Sequence, residues 1–408
     1  MSALPAPHAR PSAWSPLRHG TFAVLWTATL VSNIGTWMHD LAAGWLMTTL
    51  APSPAMVSLV QAATTLPVFL FSLPAGALAD IVDRRRMLIT IQITMLVLAA
   101  MLSLLVFRHL ITAELLLVFT FALGTCTAAM SPAWQAVVPR LVPKEDFPAA
   151  VALSAVSINL SRAIGPAIGG VIIASFGLGW PFLFNALSFL AVIAALTWWR
   201  PAPASGVQPA RESFVNAMAT GVRHVWTSQP LRATLLRTVA FFAFASAYWA
   251  LLPLIARQQL GGGSQLYGVL VGCIGIGAVT GAQFLPRLRA RFGPDRVIIA
   301  STCGTAIVLM TFALVAIPAV AAVACLIAGA TWIASISTIS VAAQLLLPDW
   351  VRARGLAAYN TVFYGALTLG SVCWGQLGER FGIEGALLTA AGGMLLCMGL
   401  VRRIRLLG

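Results

Sequence analysis

The chain has 408 residues, of which 59% are hydrophobic and only 9% are charged, and its mean hydropathy is +0.90. A soluble domain carries about 25% charged residues, so this composition excludes an ordinary water-soluble protein. The net charge of +14 does not indicate a nucleic-acid partner, because the arginines punctuate apolar runs and do not line one helix face. The six cysteines all lie inside apolar runs and are predicted to be small apolar filler.

Twelve apolar runs of about the length that a spanning helix needs, roughly 20 residues, follow one another along the chain. They occupy residues 22–49, 55–79, 88–107, 112–132, 149–175, 179–199, 232–256, 265–286, 297–317, 319–346, 356–377 and 383–401. Segment 200–231, rich in proline and charge, is predicted to be a linker with a surface helix around 212–226. The first run is too long for a cleavable signal peptide, so we interpret it as a true span.

The basic residues between these runs predict the orientation. With the N-terminus inside, the inside segments carry 21 Lys and Arg, the outside loops carry 3 and 1 lies within a span, which accounts for all 25. Cytoplasmic loops of membrane proteins carry the excess of positive charge. We therefore expect the following order: a cytoplasmic tail at 1–21, a six-helix bundle at 22–199, a cytoplasmic linker at 200–231, a second bundle at 232–401 and a cytoplasmic tail at 402–408.

Several residues recur at an offset of 205 positions, which indicates two related halves. Gly76, Arg84 and Arg86 recur as Gly281, Arg289 and Arg291, and Gly165 and Gly170 recur as Gly370 and Gly375. Two six-span repeats with a cytoplasmic linker are the architecture of secondary transporters. Residues 76–86 also resemble the loop signature of the major facilitator superfamily, although Asp83 and Arg84 stand where that family often has glycine.

A closer resemblance lies in residues 131–139, 149–153, 159–170 and 342–352, which include the run Gly165-Pro166-Ala167-Ile168-Gly169-Gly170. These segments resemble the bacterial enterobactin-exporter-like branch of the superfamily, the transmembrane secretion effectors. The resemblance implies an all-α membrane protein with twelve transmembrane helices in two pseudo-symmetric six-helix bundles. It also implies export, but it does not identify the substrate.

Asp40 is predicted to be the only acid well inside a span. Arg162 is predicted to be the only base within a span, near the middle of the fifth one. Charges in the bilayer are costly, so both are functional candidates. Asp40 lies about 27 Å along its span from Phe22, where a carboxylate suits proton coupling, although an interfacial acid bathed in water is the alternative. Arg162 pairs with Asp40 if spans 1 and 5 are neighbours, as the resemblance implies. A protonation switch, direct binding of an anionic substrate and a fixed ion pair all remain open.

Two glycine-containing motifs are candidates for moving parts. Gly165, Pro166, Gly169 and Gly170 resemble a signature of proton-coupled exporters, and glycines permit close helix approach while proline permits a bend; plain close packing is the alternative. The loop with Gly76, Asp80, Arg84 and Arg86 is predicted to be a cytoplasmic gate. By family analogy Asp80 would cap helix 11 near Gly355, and the arginines would pair with Glu145, Asp146 or Asp349. A simple topology signal is the alternative for this loop.

Polar and aromatic residues in the spans that line the cavity of the family predict a large, weakly polar, aromatic site. These cavity candidates are Asn33, Trp37, Gln61, Asn159, Tyr248, Trp249, Gln283, Tyr359, Asn360 and Tyr364. For each of them an interhelical hydrogen bond or an interfacial ring is the alternative role. As a set, they favour a bulky amphipathic substrate over a sugar or an ion.

The sequence contains no Gly-x-x-x-x-Gly-Lys phosphate loop, no clustered histidines and no serine, cysteine or zinc constellation, so we expect neither ATP hydrolysis nor an enzyme. We expect a proton-driven exporter of a siderophore-like or drug-like molecule, working by alternating access as a monomer in the bacterial inner membrane. Its partners would be the substrate and the bilayer, without nucleic acid, metal or cofactor. An importer of the same fold and a non-transporting scaffold or receptor are the alternatives, and Asp40 and Arg162 count against a scaffold.

Overall fold

The computed structural model describes residues 12, 14–200, 228–348 and 352–401, and the predicted surface helix at 212–226 lies outside them. The described residues form eleven α-helices and no β-strand. The helices are α1 (Gly20–Leu50), α2 (Pro54–Ile81), α3 (Arg84–Phe107), α4 (Ala113–Val137), α5 (Phe147–Phe176), α6 (Gly179–Trp198), α7 (Gln229–Leu254), α8 (Ser264–Phe292), α9 (Pro294–Leu314), α10 (Pro318–Leu346) and α11 (Arg352–Val401). Short helical turns at Ser15–Arg18, Val138–Arg140 and Ile255–Gln259 adjoin α1, α4 and α7.

A glycine divides the longest helix. Gly382 interrupts the 50-residue α11 with φ 76° and ψ 164°, a conformation that glycine adopts without steric cost. A straight helix of that length would be about 75 Å long, far more than the roughly 30 Å hydrocarbon core of a bilayer. The break therefore separates a first arm, residues 352–381, from a second arm, residues 383–401, and each is about long enough for one crossing.

Ten helices of the described residues are long and apolar enough to cross a membrane, with α11 counted once. The count differs from the predicted twelve for two reasons. The two arms of α11 form one continuous assignment, and α1 falls below the apolar composition of the other helices. Helix α1 contains Asn33, His39 and Asp40 among its polar residues, and His39 is buried.

Side-chain caps fix where several helices begin. Ser53 accepts a hydrogen bond from the Met56 N–H at 3.2 Å, and Asp83 accepts one from the Arg86 N–H at 2.8 Å. Such caps satisfy backbone donors that the first turn leaves free. Helix α7 begins at Gln229, three residues before the predicted start of its run, so the linker is shorter at that side than 200–231.

The helix pairings of the first half recur in the second. Helix α1 packs on α5 and α6, α2 on α4, and α3 on α4 and α6; α7 packs on α11, α8 on α10, and α9 on α10 and α11. The two halves meet mainly where α2 packs on α11 and α5 on α8. We call the end with the connections at 51–53, 108–112, 177–178, 260–263 and 315–317 the distal end, and the opposite end the termini end.

The glycines of the 205-residue repeat occupy matching positions in the two halves. A Cβ on Gly170 would lie 2.6 Å from the Ser264 carbonyl oxygen of α8, and a Cβ on Gly375 would overlap Ser58 of α2. Both glycines thus allow close contact between the halves near the distal end. The repeat read from the sequence therefore corresponds to equivalent packing positions.

Candidate functional site

Arg162 lies between the two halves and faces α1. Its guanidinium carbon is 5.2 Å from the centre of the Trp37 ring, a cation–π geometry. Gly165, one turn further along α5, allows this approach, because a Cβ there would lie 2.7 Å from the Trp37 Cβ. The glycine therefore brings the tryptophan within reach of the arginine.

The predicted ion pair between Arg162 and Asp40 is not formed within the described part of the chain. Arg162 lies near Tyr248 and Tyr364, which belong to α7 and the first arm of α11. Asp40 instead lies near Tyr267 of α8, closer to the distal end. Each of these two charges thus faces tyrosines of the other half.

Arg162 is not the only base inside a span, contrary to the prediction. Arg237 lies in α7, is only 5% exposed and forms an ion pair with Asp295 at 2.5 Å. Arg237 stands close to the start of its apolar run, so the sequence alone does not distinguish it from the basic residues of the linker. Its carboxylate partner makes it a paired structural residue, whereas Arg162 has no carboxylate partner among the described residues.

Two buried polar atoms near the centre have no hydrogen-bond partner among the described residues, Nε of Arg162 and the hydroxyl of Tyr359. The Tyr248 hydroxyl and the indole Nε1 of Trp249 are also buried, and they interact with each other. The Tyr248 and Trp249 rings lie 5.7 Å apart, and Tyr359 interacts electrostatically with Tyr364. A buried polar group without a partner costs about 1–3 kcal/mol, so we treat these residues as the candidate binding site.

An aromatic wall that the sequence analysis did not predict supports these residues. Phe242, Trp332 and Phe363, on α7, α10 and α11, have ring centres 4.6 to 6.4 Å apart. Trp332 also contacts the Tyr248 and Trp249 rings at 6.4 and 5.7 Å. The sequence around a single aromatic residue in an apolar span does not show whether its ring lines a cavity or faces the lipid.

The other predicted cavity residues are less closely grouped. The Asn159 amide donates to the Ala155 carbonyl of its own helix at 2.8 Å. Asn33 and Gln61 are partly buried, whereas Gln283 and Asn360 are exposed. Of the ten candidates, the structure therefore brings Trp37, Tyr248, Trp249, Tyr359 and Tyr364 together with Arg162.

The predicted motif in α5 has two packing surfaces. Gly165 and Gly169 face α1, because a Cβ on Gly169 would lie 3.2 Å from the Met38 Cα. Gly170 and Pro166 face α8, where the Pro166 carbonyl would lie 2.6 Å from a Cβ on Gly268. One pair thus holds α5 within its own half, and the other forms the contact between halves.

Polar contacts join the two halves at the distal end. The Arg257 guanidinium donates to the hydroxyls of Thr48 and Thr49 at 2.9 Å and lies 5.7 Å from the centre of the Trp45 ring. Nearer the middle, the hydroxyls of Thr65 and Thr368 are hydrogen-bonded at 2.8 Å. Together with the glycine contacts, these interactions close the distal end.

The same helices separate toward the termini end. On α8, the face that packs on α5 continues to Ala282 and Pro286, which are exposed, and on α5 it continues to Val156, which is 48% exposed. A Cβ on Gly76 of α2 would meet no atom within 4 Å. The space between the halves therefore opens toward the termini end.

The predicted gate loop lies at this open end. The Asp80 side chain and Asp349 are outside the described part of the structure, so the predicted cap on α11 stays a prediction. Arg84 is partly buried and Arg86 is exposed. Arg85, which was not among the gate residues, donates to the Leu196 and Thr197 carbonyls at 2.8 and 2.7 Å and so caps the end of α6.

Asp146, a predicted partner of the gate arginines, binds the N-terminal segment instead. The Ser15 hydroxyl donates to its Oδ1 at 2.5 Å, and His19 Nε2 lies 2.7 Å from its Oδ2. These hydrogen bonds, first from Ser15 and then from His19, lower the pKa of Asp146. The contact ties the start of α1 to the start of α5. The described residues contain no cluster of His, Cys, Asp and Glu that could hold a metal ion.

The architecture and the central site define a multi-pass membrane transporter of the major facilitator type. Solved structures share the fold. A variant of the nucleoside transporter NupG superposes with a TM-score of 0.78 at 10% identity, covering 94% of this chain and 99% of that one. A bacterial homologue of the lysosomal transporter Spinster, in an inward-facing and unoccupied conformation, gives 0.72 at 14% identity, covering 95% and 98%.

The chain belongs to the transmembrane secretion effector family, whose profile matches residues 11–407. It is 27% identical to the staphyloferrin A transporter of Staphylococcus aureus over 267 residues, 64% of this chain and 65% of that relative, just under two thirds of its length. It is 26% identical to the enterobactin exporter EntS of Salmonella typhi over 79% of this chain and 76% of EntS. The multidrug efflux pump Tap of Mycobacterium tuberculosis is 25% identical over 94% of this chain and 93% of Tap.

Proposed function

We propose that this protein is a secondary active transporter that exports a bulky amphipathic small molecule in exchange for protons. The observation that carries the proposal is the central site, where Arg162 and Trp37 of the first half face Tyr248 and Tyr364 of the second. A site built from both halves is what alternating access requires, because rocking of the halves exposes it to each side in turn.

The membrane arrangement that we propose has twelve crossings in two six-helix bundles. Helix α1 and the ten apolar helices supply eleven segments, and the break at Gly382 divides α11 into two crossings. The repeated helix pairings support two equivalent bundles. The excess of basic residues in the segments at the termini end supports cytoplasmic termini, in a monomer within the bacterial inner membrane.

With the termini in the cytoplasm, the closed distal end faces outward and the opening faces the cytoplasm. This is the conformation in which an exporter takes up its substrate. The gate loop, with Gly76 remote from other atoms, would then close only in the opposite conformation. We propose that the loop acts as a latch there, as the family resemblance implies.

Export, not uptake, is favoured by the relatives. Two of them are named an enterobactin exporter and a multidrug efflux pump, so siderophore-like and drug-like compounds are the first substrates to test. Asp40 is the proposed proton site, because it is the acid that lies inside the helices and interacts with the other half at Tyr267. Protonation would remove its negative charge from that contact.

The test uses inside-out membrane vesicles with an acidic lumen. An exporter moves labelled substrate into the lumen as protons leave, and an uncoupler abolishes this accumulation. We expect Asp40→Asn to reduce accumulation to the uncoupled level. The matched control Glu114→Gln, which neutralises an exposed acid at the start of α4, should retain it.

Two results would contradict the proposal. Proton-driven accumulation that survives in Asp40→Asn, at equal protein levels, would place coupling at another residue. Net release of substrate from the lumen down the proton gradient would show uptake, which is the alternative function of the same fold.

A further inference from the structure

One face of α1 leads from Asp40 to the distal end. Gly44 and Thr48 follow Asp40 at intervals of four residues, so the three lie on the same side of the helix. At the rise of an α-helix, Thr48 lies about 12 Å beyond Asp40 along the axis. A proton that enters from the distal side has to pass along this face before it reaches the carboxylate.

Tyr267 of α8 occupies the middle of this face. A Cβ on Gly44 would lie 3.1 Å from the Tyr267 hydroxyl and 3.4 Å from the Pro253 Cγ of α7, so the glycine provides the space that the phenol fills. Tyr267 is only 7% exposed and lies near Asp40. The phenol of the second half therefore stands between the carboxylate of the first half and the distal surface.

Trp45 and Arg257 cover the distal part of the same face. The Trp45 ring stacks on the Tyr267 ring, with centres 5.9 Å apart and planes inclined by 23°. The Arg257 guanidinium carbon lies 5.7 Å from the centre of the Trp45 ring, and the guanidinium donates to the Thr48 and Thr49 hydroxyls, both at 2.9 Å. Arginine, tryptophan and tyrosine thus form a continuous stack whose members alternate between the halves.

This stack combines two kinds of barrier to a proton. Hydrophobic constrictions exclude the water along which protons move, and a fixed arginine charge excludes protons and other cations. Arg257 keeps its charge at every physiological pH, and no carboxylate pairs with it in the described ranges. His39, the titratable neighbour of Asp40 on α1, packs edge-on against Phe182 of α6 with ring centres 4.8 Å apart, so it belongs to the first half and not to the stack.

We infer that Tyr267, Trp45 and Arg257 form a proton barrier that shields Asp40 from the distal side while the distal end is closed. Because the stack alternates between the halves, opening of the distal end separates its members and exposes the carboxylate. The inference rests on the proposed function, since it supplies the step that keeps proton entry coupled to the conformational change. Without such a barrier, protons would reach Asp40 in the cytoplasm-facing conformation and the gradient would be dissipated.

The first experiment measures access to position 40 from the distal side, independently of proton coupling. Asp40→Cys, in a background without the six native cysteines, is treated in right-side-out vesicles with a membrane-impermeant cationic methanethiosulfonate reagent. We expect Tyr267→Ala to raise the labelling rate by about 2- to 12-fold, the equivalent of the ring stacking that is lost. Tyr267→Phe is the matched control, because it keeps the stacked ring, and it should leave the rate unchanged.

A second comparison tests the charge of the barrier. In the Tyr267→Ala background, the labelling rates of a cationic and an anionic reagent of equal size are measured at the same cysteine. Arg257→Gln should raise the ratio of cationic to anionic rate by about 3- to 10-fold, the effect of removing one charge several ångströms from a watery opening. Arg108→Gln removes an exposed arginine on another distal connection and should leave the ratio unchanged.

Two further cysteine positions report orientation and folding. Leu110→Cys, on an exposed distal connection, should be labelled in every variant, and Ala186→Cys, fully buried within the first half, in none. Labelling of Leu110→Cys only in inside-out vesicles would reverse the proposed orientation, and the same comparison is then made in those vesicles. Labelling of Ala186→Cys would show that a variant has lost its fold. Trp45→Ala then replaces Tyr267→Ala, because it removes the same stacked pair.

Proton movement connects the barrier with the proposed function. In right-side-out vesicles with an acidic medium, an internal pH-sensitive dye and no substrate, Tyr267→Ala should admit protons faster than the wild-type protein, and Asp40→Asn should abolish the difference. Faster labelling without faster proton entry would contradict only the role of Asp40 in the proposed function. The inference itself is overturned if Tyr267→Ala and Tyr267→Phe are labelled equally fast, or if Arg257→Gln leaves the preference between the two reagents as it was.

Discussion

Gly268 of α8 packs closely on α5 near the closed distal end, and we expect this contact to stabilise closure. A Cβ at Gly268 would lie 2.6 Å from the Pro166 carbonyl oxygen and 3.1 Å from the Gly170 Cα, and both are backbone atoms that cannot rotate away. Gly268→Ala therefore has to push α8 away from α5 by several tenths of an ångström. Overpacking of this kind costs about 1–3 kcal/mol.

The added methyl group destabilises only the conformation in which the distal end is closed. The contact joins the two halves at the distal end, so it is lost when that end opens and the strain is relieved. We expect Gly268→Ala to raise the ratio of distally open to distally closed molecules by roughly 5- to 150-fold, the equivalent of 1–3 kcal/mol.

Spin labels measure this shift directly in a background without the six native cysteines. Labels at Leu110 and Ile317 report the distance between the halves at the distal end, and labels at Val82 and Phe292 report it at the termini end; all four side chains are exposed. We expect Gly268→Ala to lengthen the first distance and shorten the second, because in the proposed alternating-access mechanism the halves rock about the central site.

Gly165→Ala is the matched control. Its Cβ would lie 2.7 Å from the Trp37 Cβ and 3.0 Å from the Ile34 carbonyl, so the crowding is similar but lies within the first half. It should lower thermal stability without changing either distance. Equal behaviour of Gly268→Ala and Gly165→Ala, or no change with Gly268→Ala, would refute the assignment of the α5–α8 contact to distal closure.

Two further outcomes are expected from the same structure. Arg257→Ala removes hydrogen bonds to Thr48 and Thr49 across the halves and should also lengthen the distal distance, by a smaller population shift than Gly268→Ala; an unchanged distance would show that these bonds do not contribute to closure. The hydrogen bonds that lower the pKa of Asp146 stabilise its ionised form, so their contribution is present above the aspartate's unfolded pKa and is lost as the pH falls through the lowered folded value. Melting curves in detergent should therefore show a drop in stability on acidification that Asp146→Asn reduces; an identical pH profile in the variant would contradict this.

The course of the chain could be predicted from its sequence because hydrophobic run length is a strong constraint in a membrane protein. The predicted spans correspond to the observed helices within a few residues at most ends, and the repeated glycines mark equivalent contacts. Gly165 and Gly170 could be recognised as packing residues. Gly165 faces α1 and Gly170 faces α8 because of how α5 is rotated among its neighbours. The sequence of one helix does not determine that rotation.

The central site was predictable only in part for the same reason. Arg162 could be recognised because a charge in an apolar run is conspicuous, but its partner was predicted to be Asp40. The structure places Trp37, one turn before Asp40, against the guanidinium. Neighbouring turns of one helix differ by about 5 Å in depth, so the length of an arginine side chain spans several possible partners. Opposite charge favours Asp40 as the partner, whereas the observed neighbour is Trp37.

The positions of Arg162 and Asp40 also suggest how substrate and proton share one conformational change. Arg162 of the first half faces Tyr248 and Tyr364 of the second, and Asp40 of the first half faces Tyr267 of the second. In the proposed mechanism, a substrate bound between Arg162 and these tyrosines would add a tie between the halves at the centre. A proton at Asp40, the proposed coupling site, would remove a charge near Tyr267, closer to the distal end. Each ligand therefore changes the relative stability of the two conformations through a contact that both halves make, and such differential binding is what shifts a conformational equilibrium. The two contacts lie at different depths. Substrate and proton would therefore each change the conformational equilibrium without touching one another.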